Sequence, residues 1–291
     1  MKAFIQHTLF PILAAMIWGT AFSAQTVAST YIQPFAVNAF RGLVASAVLI
    51  LVCVIFHIRP GEKKKVIIGS LVCGTALFIA SNFQQYGIGE EGAGKSGFIT
   101  ALYIVLVPVF GVFLHKRTTP KVWLAVLIAV TGMYFLCIKP GVTFGTGDLA
   151  LLVCAVMFTL QILAIDFYSG IVDPVALSAG QLLVCGLFSL IVSVFAETTT
   201  LSDFAPCLWQ MLYVAIFSSC VAYTLQIFAQ KGGNPSVVSL LLSLESVFAL
   251  LGGMLLLGEK MTGREYLGCV LMALAIVISQ LPENRSEKET E

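Results

Sequence analysis

Two charged residues stand well inside apolar runs of this chain. Glu245 lies about ten residues into a run at 235–257, and Arg41 about seven residues into one at 34–57. A charge at bilayer depth costs about 2.5–3.5 kcal/mol on insertion scales, so such a residue faces a cavity or a partner. The planar fork of Arg41 suits an organic carboxylate. Its other reading is an interfacial residue pairing with carbonyls near the outer surface. Asn38 falls three positions earlier, on the same helical face. Glu245 has the chemistry of a proton-exchanging site or of a contact for an organic amine. Its other reading is a carboxyl hydrogen-bonded to a neighbouring Ser or Thr.

Amides and aromatics recur at helical spacing. Trp18, Phe22 and Gln25 form one stripe, and Tyr223, Gln226 and Gln230 another. Asn82 and Gln85 share a face with Gln84 beside them, and Gln161 lies mid-run. Amides in hydrocarbon need partners, so they point inward, where they line a wet cavity or bridge helices. The aromatics among them, Trp18, Tyr103, Phe158 and Tyr223, suit an amphipathic organic solute better than an inorganic ion. The candidate lining is therefore Trp18, Arg41, Asn82, Gln85, Tyr103, Gln161, Tyr223, Gln226 and Glu245. Ser236, Ser239, Ser243 and Ser246 recur at three and four residues, a small-residue stripe that reads as close packing.

Other chemistry is scarce. There is no H-E-x-x-H and no G-x-S-x-G. Gly145, Gly147 and Ala150, with Asp166 downstream, mimic a dinucleotide fingerprint, but no strand precedes them. His7, His57 and His115 are too far apart in topology for a metal site. The eight cysteines contain no CxxC pair, and all but Cys207 sit in apolar runs as small hydrophobes. Neither a catalytic set nor a cofactor is expected.

These residues must be positioned by membrane helices. The chain has 291 residues, 58% apolar and 11% charged, with net charge +1, and a mean hydropathy of +0.96. Soluble domains carry about 25% charged residues, so a soluble surface is excluded. Disorder is excluded by the apolar content, and nucleic-acid binding by the lack of a basic face. Ten runs have bilayer-crossing length: 8–28, 34–57, 66–88, 96–114, 121–138, 148–168, 174–195, 207–230, 235–257 and 264–281. The first exceeds a signal-peptide core and reads as retained. The loops are too short for a soluble catalytic domain. Pro108 interrupts the fourth run.

Charge sets an orientation. With the N-terminus cytoplasmic, the inside holds Lys2, Arg59, Lys63, Lys64, Lys65, Lys116, Arg117, Lys121, Lys231, Arg285 and Lys288. The outside holds Lys95, Lys139, Lys260 and Arg264. Eleven against four puts both termini in the cytoplasm, and the Lys63–Lys65 cluster beside anionic lipid heads.

The chain also repeats itself. Shifted by 140 residues, Pro34, Ala36, Ala39, Leu43 and Val44 fall on Pro174, Ala176, Ala179, Leu183 and Val184. Arg41 then meets Gln181, and Trp18 meets Phe158; at a shift of 138, Val109-Phe110 meets Val247-Phe248. Five helices is an odd number, so the second half inserts upside down. Inverted repeats supply two near-equivalent end states, one open to each side, as transport requires.

The residues resemble the EamA branch of the drug/metabolite transporter superfamily over nearly the whole chain. The match rests on Trp18-Gly19, on Pro34 with Arg41-Gly42-Leu43, and on Gln84-Gln85-Tyr86-Gly87. It continues through Ala93-Gly94-Lys95-Ser96-Gly97-Phe98-Ile99-Thr100-Ala101-Leu102-Tyr103 and Leu106-Val107-Pro108. Leu244-Glu245-Ser246-Val247-Phe248-Ala249 is similar to the family's L-E-P-V-F-A, and Gly258-Glu259-Lys260-Met261-Thr262 to its G-E-x-L-T. Ser246 stands where proline is usual, which predicts a straighter ninth span. The resemblance implies ten helices, two five-helix repeats and export of small metabolites.

The expectation is thus an all-α integral membrane protein. Ten transmembrane helices form two inverted five-helix repeats around a central cavity: 1–140, then 141–282, then a cytoplasmic tail at 283–291. It is a secondary transporter of the cell membrane, exporting amino acids or similar amphipathic solutes by alternating access, with protons as the coupling ion through Glu245. An uncoupled facilitator or an importer is the alternative. An intramembrane lipid-modifying enzyme would need a His, Asp or Ser cluster at one face, which the sequence lacks.

Overall fold

A computed structural model describes residues 1–116, 118–138, 144–257 and 262–281. The topology residues Arg117, Lys139, Lys260, Arg285 and Lys288, the Gly258–Met261 motif and the tail at 283–291 lie outside the described residues.

Among the described residues the chain forms helices in the order α1 (Ile5–Ala28), α2 (Pro34–Ile55), α3 (Lys63–Thr100), α4 (Tyr103–Phe113), α5 (Pro120–Cys137), α6 (Thr146–Tyr168), α7 (Pro174–Ala196), α8 (Leu201–Gln230), α9 (Pro235–Leu242), α10 (Glu245–Leu257) and α11 (Gly263–Gln280). Proline opens α2, α5, α7 and α9, where its missing N–H costs nothing and its fixed φ suits the first turn. Eight of the helices are long and apolar enough to cross a membrane; the apolar segments Tyr103–Phe113 and Pro235–Leu251 are shorter.

The distribution of side chains is that of a protein solvated by lipid. Large apolar residues such as Leu51, Val54, Leu127, Val194 and Val270 are exposed, while Asn38, Arg41, Gln85, Gln161, Gln181 and Glu245 are buried. Buried polar groups can bond one another, whereas hydrocarbon offers them nothing.

Helix α2 packs on α7, α3 on α6 and α7, and α5 on α11, while α1 lies against α8 and α10. Small residues permit the close crossings. A Cβ on Gly42 would meet the Gly186 Cα at 2.8 Å, and one on Gly19 would meet the Glu245 carbonyl oxygen at 2.5 Å. The repeat is visible in three dimensions. Residues 31–50 and 171–190 pass through exposed, half-buried and buried positions in the same order, differing only at the third and fourth. Arg41 and Gln181 thus occupy equivalent buried places.

The fourth and ninth apolar runs are interrupted, which explains their short helices. In the first half, Gly92 takes a φ of +77° and bends α3 before a half-helix at 93–100. A turn at Ala101–Leu102 follows, and then Tyr103 opens α4. In the second half, Gly232 has a φ of +75°, α9 follows, and a turn at Ser243–Leu244 precedes Glu245, the first residue of α10. The straight ninth span expected from Ser246 is therefore overturned. Serines replace proline as the cause. The Ser239 and Ser243 hydroxyls donate to the carbonyls of Ser236 and Leu240 at 2.9 and 2.7 Å, and Leu244 and Ser246 N–H bond three residues back. Such local bonds compete with the α-helical ladder and bend it. Pro108 likewise is not the site of the fourth span's break; it lies inside α4.

Candidate functional site

A narrow cavity lies where the two broken spans meet α1, α2, α3, α6 and α8. It offers about 40 Å³ to the centres of water molecules, against the roughly 10–15 Å³ that one water needs. Its wall includes Trp18, Phe22 and Gln25 of α1, Arg41 of α2, Gln84 and Thr100 of α3, and Tyr103 of α4. Phe158 and Ile162 of α6, Ser218, Tyr223 and Gln226 of α8, Leu242 of α9 and Glu245 of α10 complete it. Trp18 and Phe158, which the repeat superimposes, both line it.

Arg41 is 5% exposed. Its Nε donates to Ser219 Oγ at 2.7 Å, its Nη1 to Gln25 Oε1 at 2.8 Å and its Nη2 to Ser218 Oγ at 3.2 Å. A guanidinium has five N–H donors, so two remain beyond these three bonds. All three acceptors are neutral, and among the described residues no carboxylate is paired with Arg41. Its acceptors are two serine hydroxyls and one side-chain amide carbonyl.

Two neighbouring serines reach one guanidinium because α8 is a π-helix over Val214–Ala222. The wider turn brings successive side chains closer to one face, and such segments are frequent at functional sites. The Ser218 carbonyl accepts from Trp18 Nε1 at 3.0 Å, and the Trp18 and Tyr223 rings meet edge-on at 5.0 Å.

Glu245 sits across the cavity, 4% exposed. The Tyr103 hydroxyl donates to its Oε1 at 3.4 Å. The first residues after the two breaks therefore meet, one phenol against one carboxyl. No described Lys, Arg or His forms an ion pair with Glu245.

Of the nine residues singled out from the sequence, Trp18, Arg41, Tyr103, Tyr223, Gln226 and Glu245 come together on this wall. Asn82, Gln85 and Gln161 do not. The Asn82 amide donates to Ser189 Oγ at 2.9 Å and accepts from Asn38, bracing α2, α3 and α7. Gln85 donates to the Gln25 carbonyl at 3.2 Å, behind the wall. Gln161 donates to Gln181 Oε1 at 3.2 Å and accepts from Gln226 Nε2 at 3.3 Å, one layer out. Gln226 Oε1 and Gln181 Nε2 have no hydrogen-bond partner among the described residues. Lining residues outside those nine are Phe22, Gln25, Gln84, Thr100, Phe158, Ile162, Ser218 and Leu242. Gln84 was visible as the neighbour of Gln85, but only the rotation of α3 chooses between them.

Among the described residues, Lys65 pairs with Glu62 at the exposed start of α3, and the other ion pairs stand at the ends of α6, a feature the sequence did not reveal. Lys95 Nζ lies 2.7 Å from the carboxylates of both Glu91 and Asp148, and Lys116 pairs with Asp166. No group of three metal-ligating side chains occurs among the described residues.

Comparison with known proteins bears on this arrangement. The EamA-like transporter family matches residues 7–138 and again 145–280. An uncharacterized transporter of Archaeoglobus fulgidus is 32% identical over 92% of this chain and 84% of its own. A WAT1-related chloroplastic protein of Arabidopsis thaliana is 25% identical, over 96% of this chain and 70% of its own. A crystal structure of a protein at 18% identity covers 94% of this chain and 96% of its own, with a TM-score of 0.80, and so shares the fold.

Proposed function

The chain belongs to the EamA-like transporter family, and from that premise we propose that it exports small organic metabolites by alternating access through the cavity between its halves. It is a multi-pass membrane protein that binds a small-molecule substrate, and a transporter rather than an enzyme. The observation that carries the finer reading is the pair Arg41 and Glu245. Both are buried, both line one cavity, and neither has an ion partner among the described residues. A buried charge without a counter-charge is costly; a ligand that brings the counter-charge recovers that cost. An amino acid or similar amphipathic solute supplies a carboxylate to Arg41, an amine to Glu245 and an apolar body to Trp18, Phe158 and Tyr223.

Two repeats at 1–140 and 141–282 would then form ten spans of opposite insertion, with both termini cytoplasmic in the cell membrane. The broken fourth and ninth spans count as crossings in this reading. Discontinuous helices near the midplane are where transporters place their binding sites, and Tyr103 and Glu245 stand at those breaks. Trp18, Arg41, Tyr103, Tyr223, Gln226 and Glu245 contact solute; Asn82, Gln85 and Gln161 hold the wall from behind. Glu245 exchanges a proton for solute, since a coupling ion acts by favouring one end state over the other.

The test is a release screen. Cells overproducing the chain should lose a defined set of amino acids or related solutes to the medium, unmodified, and Arg41→Ala should abolish the loss. Accumulation inside the cells instead would replace export by import, and conversion of the solute would replace transport altogether.

A further inference from the structure

The half-helix at 93–100 is bounded by two breaks, Gly92 and the turn at Ala101–Leu102. Its far end carries Thr100, part of the cavity wall. Its near end carries Lys95, which bonds Asp148 in the first turn of α6. The side chains of Lys95 and Asp148 are 11% and 1% exposed, so solvent screens the pair weakly. On its other side the half-helix presents only Ala93, Gly94 and Gly97 to a groove that offers about 460 Å³ to water centres. A rod with a glycine bend at one end, a turn at the other and room alongside is built to move.

We propose that Lys95 and Asp148 are gate residues of the transport cycle: their ion pair locks the half-helix at 93–100 against α6 and so closes the cavity toward that end of the molecule. Breaking a buried pair is costly when it strands a charge, and here each partner keeps one polar contact that lowers that cost. Lys95 keeps Glu91, 2.7 Å away on the preceding turn of α3. Asp148 keeps the Gly145 N–H, which donates to its Oδ2 at 2.7 Å at the start of α6. The lock therefore holds the closed state and still releases. Opening tilts 93–100 into the groove, drawing Thr100 away from α6 and uncovering what lies beneath.

A native reporter sits there. Cys154 of α6 is fully buried, with its Sγ 3.8 Å from Thr100 Oγ1. The proposal rests on the reading of the cavity as the solute pathway, but its test needs no solute. The full chain in lipid nanodiscs is treated with a small thiol reagent, and each cysteine's modification rate is read from peptide masses. Asp148→Asn retains an acceptor for Gly145, and Lys95→Gln removes the other charge. Both should raise the Cys154 rate about tenfold or more, as a shifted gate population would. Asp148→Glu should stay within about twofold of the parent, and Cys73, equally buried on α3, should be unchanged. An unchanged Cys154 in both neutral variants overturns the gate. So does a Cys73 rate that rises in step, which reports general loosening, or an Asp148→Glu variant as reactive as Asp148→Asn.

Discussion

The two halves share a backbone plan and differ in chemistry. Each bends at a glycine near φ +75°, breaks its next span at a two-residue turn, and sends the following residue toward the centre. In the first half that residue is Tyr103 and the half-helix before it is tied by an ion pair. In the second half it is Glu245, and α9 is tied by neutral groups: Asn234 caps Ser236 N–H at 2.9 Å, and serines bond back along the helix. The equivalent places on α2 and α7 hold Arg41 and Gln181. A shared backbone carrying unlike side chains makes each half the internal control for the other.

The largest expected effect separates Arg41 from Gln181. Arg41→Ala removes three charge-assisted bonds, each worth roughly 1.5–3 kcal/mol, and the proposed carboxylate contact. Initial export rate should fall at least about a hundredfold, equivalent to about 2.7 kcal/mol. Gln181→Ala, which removes one amide bond, should lower it by less than about tenfold, near the average ~0.6 kcal/mol of interhelical hydrogen bonds in membranes. Equal losses would dissolve the distinction between the halves.

Glu245 and Tyr103 come next. Glu245→Gln keeps the shape and the Tyr103 contact but cannot exchange a proton. It should lose accumulation driven by a pH gradient while downhill exchange persists, both measured in liposomes. Tyr103→Phe should retain both modes. If Glu245→Gln still concentrates solute like the parent, the carboxyl is not the coupling group.

A smaller effect should be symmetric. Gly92→Ala and Gly232→Ala each force a side chain into positive-φ backbone, at about 1–3 kcal/mol apiece. Neither glycine has a neighbour within 4 Å of an added Cβ, so backbone strain is the whole effect. Thermal melts of the purified variants should show similar losses, and a large difference would mean that the two bends are not equivalent. The smallest effect is Asn234→Ala, the loss of one helix cap at about 1 kcal/mol, which a melt should resolve as a shift of a few degrees or less.

Much of this was legible in the sequence because lipid is a simple solvent. A run of apolar residues has one long-range reading, and a charge within it, such as Arg41 or Glu245, announces itself. The repeat was legible where Pro34 and Pro174 fix two helix starts. The breaks were not, because Ser243–Leu244 and Ala101–Leu102 are as apolar and helix-compatible as their neighbours; the break is made by serine hydroxyls and by packing. Nor was the Lys95–Asp148 pair, whose members lie 53 residues apart near the ends of separate runs. Choosing Gln84 over Gln85, or Gln25 over Gln161, needs each helix's rotation, which Gly19 on α1 and Gly74 on α3 constrain through contacts with other helices.

The most direct measurement is solute flux by the purified chain in liposomes loaded with isotope-labelled amino acids. The account predicts that some of these cross unmodified with the parent protein, and that flux collapses in Arg41→Ala while Gln181→Ala retains most of it. An Arg41→Ala protein that folds and carries the same solutes at the parent rate would contradict it.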